Sequence, residues 1–276
     1  MTDDEPAENI SGGASGGGRP ATFTASDEPA TRAAAVVDAL GDLYWRKAYG
    51  GQDAFECLVR TVLSQNTSDK ASQPAHDQLL ARYGEGGPEW AGDLAASLSA
   101  AATDELAETI AGAGLYNLKS ERIVALAGRV DEAYGGADGF DRFVRDGDPD
   151  EVRETLLDMD GIGPKTADCV LLFAGGRDGV FPVDTHVHRI ARRMGLAPPT
   201  ADHEAVREAL EAAVPPEQCG FGHTATIQFG REYCTARRPA CLEGPEACPL
   251  YDLCDRVGID ELAGTAVDPA ETVGDD

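Results

Sequence analysis

From position 33 to position 233 apolar residues return every three or four places, and no stretch alternates them every second residue. The first period is that of amphipathic helices, and strands show the second. Ten helices are expected, within 33–45, 55–63, 70–83, 104–111, 118–134, 150–157, 165–173, 185–195, 202–214 and 218–233. Asp69, Thr103, Asn117 and Asp184 stand where an N-cap side chain accepts unpaired amides, and Pro149 and Pro164 suit a first turn. The expected fold class is therefore all-α with short connections.

A length of 276 residues corresponds to about two domains. With 42% hydrophobic residues the chain can bury a real core. No apolar run approaches the ~20 residues of a membrane span. The opening MTDDEPAENI lacks the basic and apolar regions of a secretory signal. A cytoplasmic location is expected, with the seven Cys reduced or metal-bound. The ends read as unfolded. Residues 1–29 contain SGGASGGG, with no strand before it and no Gly-Lys-Ser/Thr after it to make a phosphate loop. Residues 258–276 carry Asp260, Glu261, Asp268, Glu271, Asp275 and Asp276 with no Lys or Arg, and read as an acidic flexible tail.

The net charge is −26, from 23 Lys+Arg against 49 Asp+Glu. DNA-binding domains are usually basic. Here the acids are spread along the chain, with few Lys and only 6% aromatics. Such a composition fits a halophilic protein, dissolved in molar salt where the Debye length is about 3 Å. The sign of the charge therefore describes the solvent more than the partner.

The stretch LLDMDGIGPKTADCVLLF (156–173) is the most informative. Gly161 and Gly163 bracket Ile162 between two helices, and the second helix starts at Pro164. Amides left uncovered there form an anion site suited to a DNA phosphate, without any net positive charge. An ordinary helix-terminating glycine before a proline-started helix is the bland alternative. Lys165 tips the balance, because a helix N-terminus disfavours an ammonium and a neutral amine is what a nucleophilic lysine needs.

Nineteen residues on, FPVDTHVHRIARR (181–193) places Asp184 as an N-cap whose carboxylate stays ionised. His186 and His188 point to different helix faces and make a poor metal pair. Arg189, Arg192 and Arg193 form a local basic patch. In CTARRPACLEGPEACPLYDLC, Cys234, Cys241, Cys248 and Cys254 are separated by six, six and five residues. Those gaps are wide for a zinc ribbon and suit a [4Fe–4S] cluster, with zinc as the alternative. Arg237 and Arg238 in the first gap are phosphate-contact candidates. Cys57 and Cys169 fall inside apolar helices and read as core.

Taken together, LSQNTSDK (63–70), GLYNLKSERI (114–123), MDGIGPKTA (159–167), VDTHVHRI (183–190), FGREYC (229–234) and the four-Cys loop resemble the helix-hairpin-helix DNA glycosylase superfamily, and within it the endonuclease III family. The resemblance covers roughly 31–256 and implies two lobes with DNA across the cleft. A six-helix barrel would span 46–178. The second lobe would combine 30–45 with 179–257 and the cluster loop at 234–254. The resemblance makes Lys165 and Asp184 the catalytic pair, and makes Gln65 and Leu115 the wedges that fill the gap left by a flipped base. His186 would border the base pocket, and Gly161, Ile162, Gly163 and Arg189 would join the DNA-contact set. The implied activity is excision of oxidised pyrimidines through a lysine Schiff base, then β-elimination. The implied partner is damaged or abasic double-stranded DNA, met by a monomer without a membrane.

Adenine-mismatch relatives typically carry an acid where Thr61 lies and lack a lysine at 165, and thymine-mismatch relatives typically carry Tyr at 165. A non-catalytic hairpin module would not need Lys165 with Asp184. An electron carrier would show a ferredoxin spacing. Two departures stand out: the middle Cys gap is longer than usual in the family, and Asp160 stands where Pro is common.

Overall fold

The computed structural model describes residues 20–21, 25, 28–44, 46–47 and 50–273. The tail expected at 1–29 thus lies largely outside the described residues. Among them are twelve α-helices: α1 (Arg32–Gly41), α2 (Ala54–Ser64), α3 (Asp69–Tyr83), α4 (Leu94–Ser99), α5 (Thr103–Thr109), α6 (Tyr116–Tyr134), α7 (Ala137–Asp146), α8 (Pro149–Leu157), α9 (Pro164–Phe173), α10 (Thr185–Met194), α11 (His203–Ala213) and α12 (Pro216–Glu232). Two-residue strands β1 (Pro20–Ala21) and β2 (Arg46–Lys47) pair antiparallel, as do β3 (Ile259–Asp260) and β4 (Thr265–Ala266). None of the described helices is long and apolar enough to cross a membrane.

The chain divides into two compact units, Tyr49–Arg177 and Met1–Ala48 with Asp178–Asp276. The first contains eight helices, two more than the periodicity gives. The additions are α4 and α7. At its centre lies α2, whose Phe55, Leu58, Val59, Val62 and Leu63 are fully buried. The helices α3, α7 and α9 pack around α2, and α4 lies along α6. One carboxylate starts both unforeseen helices: Asp93 Oδ1 accepts the Ala95 and Ala96 amides at 2.8 and 3.1 Å, while Oδ2 accepts the Ala137 amide at 2.9 Å. Arg153 and the buried Asp168 pair at 2.6 Å across α8 and α9, tying the two arms of the hairpin together.

Helix starts differ by a residue or two from the cap expectations. Ser68, Ala102 and Leu115 occupy the N-cap positions of α3, α5 and α6, none with a side-chain cap bond, so Asp69, Thr103 and Asn117 fall inside their helices.

In the second unit α12 is enclosed from Gln218 to Gly230 by α1, α10 and α11. Val36, Val37, Leu40, Phe181, Val187, Ile190, Leu210 and Phe229 line a small apolar cavity in that core. Residues 258–273 correct the expectation of a flexible acidic tail. They form the β3–β4 hairpin and a short turn, with Asp268 accepting both Arg192 Nη1 and Nη2 at 2.9 Å. Asp260, Glu261 and Asp268 have specific partners, so this segment is bound to its unit, while Asp275 and Asp276 lie outside the described residues.

Candidate functional site

The hairpin joins α8 to α9 through residues 158–163. Gly161 has φ +75°, and an ideal Cβ there would fall 1.7 Å from Arg122 Nε. The glycine thus admits both the left-handed turn and the Arg122 side chain lying over it. Ile162, an expected DNA contact, faces inward. It is 5% exposed, its side chain is in the core, and its amide donates to the Met159 carbonyl at 3.1 Å. An apolar residue between two glycines anchors the turn from inside. The amides of Gly161 and Gly163 have no acceptor among the described residues. Lys165 sits half-buried in the first turn of α9. Its charge acts on the Cys57 thiol, which burial pushes up to about 12 and Lys165 and Arg60 pull back.

Gln65, an expected wedge, is engaged at the hairpin. Its Nε2 donates to the Gly161 carbonyl at 3.1 Å and to Thr166 Oγ1 at 3.2 Å, and its Oε1 accepts Arg122 Nη1 at 3.0 Å. Both ends of the amide are engaged in bracing the hairpin. The next residue, Asn66, is exposed and has φ +53°. Leu115 is 58% exposed at φ +48°, beside exposed Tyr116 and Leu118. Non-glycine residues held in the left-handed region store strain and mark functional turns. Asn66, Arg122 and the buried Lys119 went unnoticed in the sequence. Lys119 carried a signal, since it extends the apolar stripe of Ile123, Leu126, Ala127 and Val130 by one turn.

In the other unit, Asp184 caps α10: Oδ1 accepts the His186 and Val187 amides at 2.9 and 2.8 Å. Its Oδ2 has no partner among the described residues. His186 is half-buried, and burial holds its imidazole below the ordinary value, with Asp184 pulling it up. It rests on Gly230, where a Cβ would stand 2.7 Å from His186 Nδ1, so this glycine lets α12 approach α10.

The expected basic patch is not a surface patch. Arg192 and Arg193 are buried, and Arg189 Nη2 donates to the Cys234 carbonyl at 2.8 Å. Arg193 donates to the carbonyls of Thr235 at 2.9 Å and Ala236 at 3.1 Å, and to Cys234 Sγ at 3.5 Å. Guanidinium donors here satisfy the carbonyls of the Cys loop, a demand that local sequence does not display. Arg237 and Arg238 are exposed.

Cys234, Cys241, Cys248 and Cys254 line one cavity of about 290 Å³, together with Phe229, Tyr233, Tyr251 and Arg256. The long middle gap folds as two short turns, Ala240–Glu243 and Pro245–Ala247, hinged at Gly244. No three His, Cys, Asp or Glu side chains among the described residues converge where a single ion could sit. The four thiols line one space, a donor set that suits a four-thiolate iron–sulfur cluster. Burial pushes the Cys254 thiol up to about 12 and raises Cys241 and Cys248, their neighbouring thiols adding to the effect. A cationic core is what would draw such thiols into thiolates.

Residues 59–216, more than half the chain, match the HhH-GPD superfamily base excision DNA repair proteins, and residues 234–254 match the iron–sulfur binding domain of endonuclease III. A curated endonuclease III of Thermotoga maritima is 34% identical over 203 residues, covering 74% of this chain and 83% of that protein. A solved trapped endonuclease III–DNA covalent intermediate aligns at TM-score 0.60 and 27% identity, over 76% of this chain and 86% of that one. A thermostable thymine-DNA glycosylase shares the fold at TM-score 0.64 and 22% identity, over 82% and 96% of the two chains.

Fold and site together define a DNA glycosylase of base excision repair, a DNA-binding enzyme with a [4Fe–4S] loop. Within that superfamily, the chain belongs to the endonuclease III family.

Proposed function

We propose that this enzyme excises oxidised pyrimidines from duplex DNA and then cleaves the abasic strand, with Lys165 as nucleophile and Asp184 as its electrostatic partner. The observation that carries the reading is Lys165 in the first turn of α9, directly behind the hairpin glycines. The relative whose covalent intermediate with DNA was trapped supports covalent chemistry at such a site.

Lys165 Nζ attacks C1′ as an uncharged amine, a form favoured by the positive end of the α9 dipole. The glycosidic bond breaks, its electron pair leaves with the base, and the base takes up a proton. Loss of the ring oxygen's bond to C1′ gives an imine to Lys165. Removal of a 2′ proton then expels the 3′ phosphate. Asp184 stabilises the cationic character that grows at the sugar, through the Oδ2 that its two cap bonds leave over.

Leu115 and Asn66 enter the stack vacated by the flipped nucleotide. Gly161 and Gly163 offer their amides to a phosphate, and Arg237 and Arg238 offer guanidinium groups to the backbone. His186 borders the base pocket. Cys234, Cys241, Cys248 and Cys254 would hold the cluster, which supplies four-thiolate bracing to the loop bearing the two arginines. The enzyme acts as a monomer.

Borohydride reduction in the presence of duplexes bearing thymine glycol, dihydrouracil, an abasic site or A·G and G·T mispairs tests this. Wild type is expected to cross-link to the first three. Lys165→Ala is expected to lose cross-linking and keep DNA binding. Trapping that persists in Lys165→Ala assigns the nucleophile to another amine, and trapping confined to the mispairs rejects the oxidised-pyrimidine specificity.

A further inference from the structure

Lys119 lies on the buried face of α6 and is 2% exposed, yet no carboxylate neutralises it among its recorded partners. Its Nζ donates to the Leu63 carbonyl at 2.7 Å, to Thr67 Oγ1 at 2.8 Å and to the Ala113 carbonyl at 2.8 Å. All three ammonium donors are therefore engaged, on neutral oxygens. Thr67 Oγ1 also bonds the Ala113 carbonyl. The acceptors bracket the two strained residues of this unit. Asn66 lies between Leu63 and Thr67, and Leu115 follows Ala113 by two positions.

Burying an ammonium among uncharged groups is unfavourable, and burial lowers the Lys119 pKa, with Arg122 adding to the effect. A Met or Leu at this point of the stripe would fill the core without that penalty. What the cation adds is geometry. It draws the end of α2 and the start of α6 onto one atom and fixes the two turns that present Asn66 and Leu115.

We propose that Lys119 is a positioning residue for base extrusion, holding Asn66 and Leu115 as one rigid pair that replaces the extruded nucleotide in the stack. This rests on the wedge roles proposed above for Asn66 and Leu115, and it adds a residue that acts through them.

The test compares wild type with Lys119→Met, which keeps the length of the stem. A duplex carries a non-cleavable tetrahydrofuran abasic analogue opposite 2-aminopurine, whose fluorescence rises when a wedge unstacks it. Wild type is expected to give the rise, and Lys119→Met to bind the duplex but lose most of it. Under single turnover, Lys119→Met is expected to excise a well-paired lesion about 10–100-fold more slowly, the scale of a small misplacement. Cleavage at a preformed abasic site, which needs less unstacking, is expected to fall far less.

Thr67→Val removes one acceptor with little change of shape and is expected to give the same pattern at smaller amplitude, which keeps the test open should Lys119→Met not fold. Full unstacking in both variants, or an equal loss of excision and abasic cleavage, overturns the proposal. A wild-type enzyme that leaves 2-aminopurine stacked removes the wedge roles proposed for Asn66 and Leu115 along with it, whereas an unstacking wild type beside equally unstacking variants removes only the role of Lys119.

Discussion

Gly161 and Gly163 look interchangeable in the sequence, two small residues flanking Ile162. The fold separates them. At Gly161 the backbone is left-handed and Arg122 lies where a Cβ would stand, while at Gly163 nothing comes within 4 Å and φ is −98°. Gly161→Ala must displace Arg122 and with it the bond to Gln65, besides placing an L side chain at φ +75°. We expect Gly161→Ala to lose about 1–2 kcal/mol of stability in urea, and Gly163→Ala to stay within about 0.5 kcal/mol. Anisotropy with an undamaged duplex should show weaker binding for both, through a displaced amide in one and a covered amide in the other. Unaltered binding by Gly163→Ala would remove its amide from the phosphate site. The chemical types were readable here, including Lys165 behind the turn. The side chain that lies on the glycine was not, because Arg122 is 39 positions upstream.

Helices revealed themselves wherever their cap and their stripe agreed. Asp184 accepts amides at the start of α10 as expected, and Asp148 and Asp202, which are not among the expected caps, do the same for α8 and α11. The helix α4 escapes because it has only six residues, and α7 because the carboxylate at its start is that of Asp93, 44 positions upstream. Asp184 carries two roles that substitution can separate. Asn is as good an N-cap as Asp, so Asp184→Asn should keep the start of α10 and fold within about 0.5 kcal/mol of wild type. Asp184→Ala should lose about 1 kcal/mol as the His186 and Val187 amides lose their acceptor. If the carboxylate acts on charge at the sugar, both variants should excise thymine glycol poorly, with the loss in turnover independent of the loss in stability. Normal turnover by a correctly folded Asp184→Asn would reduce Asp184 to a cap.

At the scale of the whole chain, an excess of acids says little about which of them are used. Arg192 is buried on α10 and acids are plentiful, but its carboxylate partner is Asp268, 76 positions away in a stretch that reads as solvated tail. Burial pushes the Asp268 carboxyl up, and the Arg192 hydrogen bond and the Ala270 amide outweigh it, leaving the group below the usual carboxylate range. A pKa depressed by folding stabilises the fold above the unfolded value, and that contribution disappears as the pH falls through the folded one. Asp268→Ala leaves the buried Arg192 guanidinium with only carbonyl partners and should lower stability by about 1–3 kcal/mol near neutral pH, a discounted figure because Asp268 is half exposed. The gap between wild type and Asp268→Ala should then close as the pH falls from about 4, the ordinary carboxylate value, through the lower value of the folded group. Chemical denaturation across that window measures it. A gap that stays constant into acid would mean that Asp268 holds the C-terminal hairpin by packing and its amide bonds, with no contribution from charge.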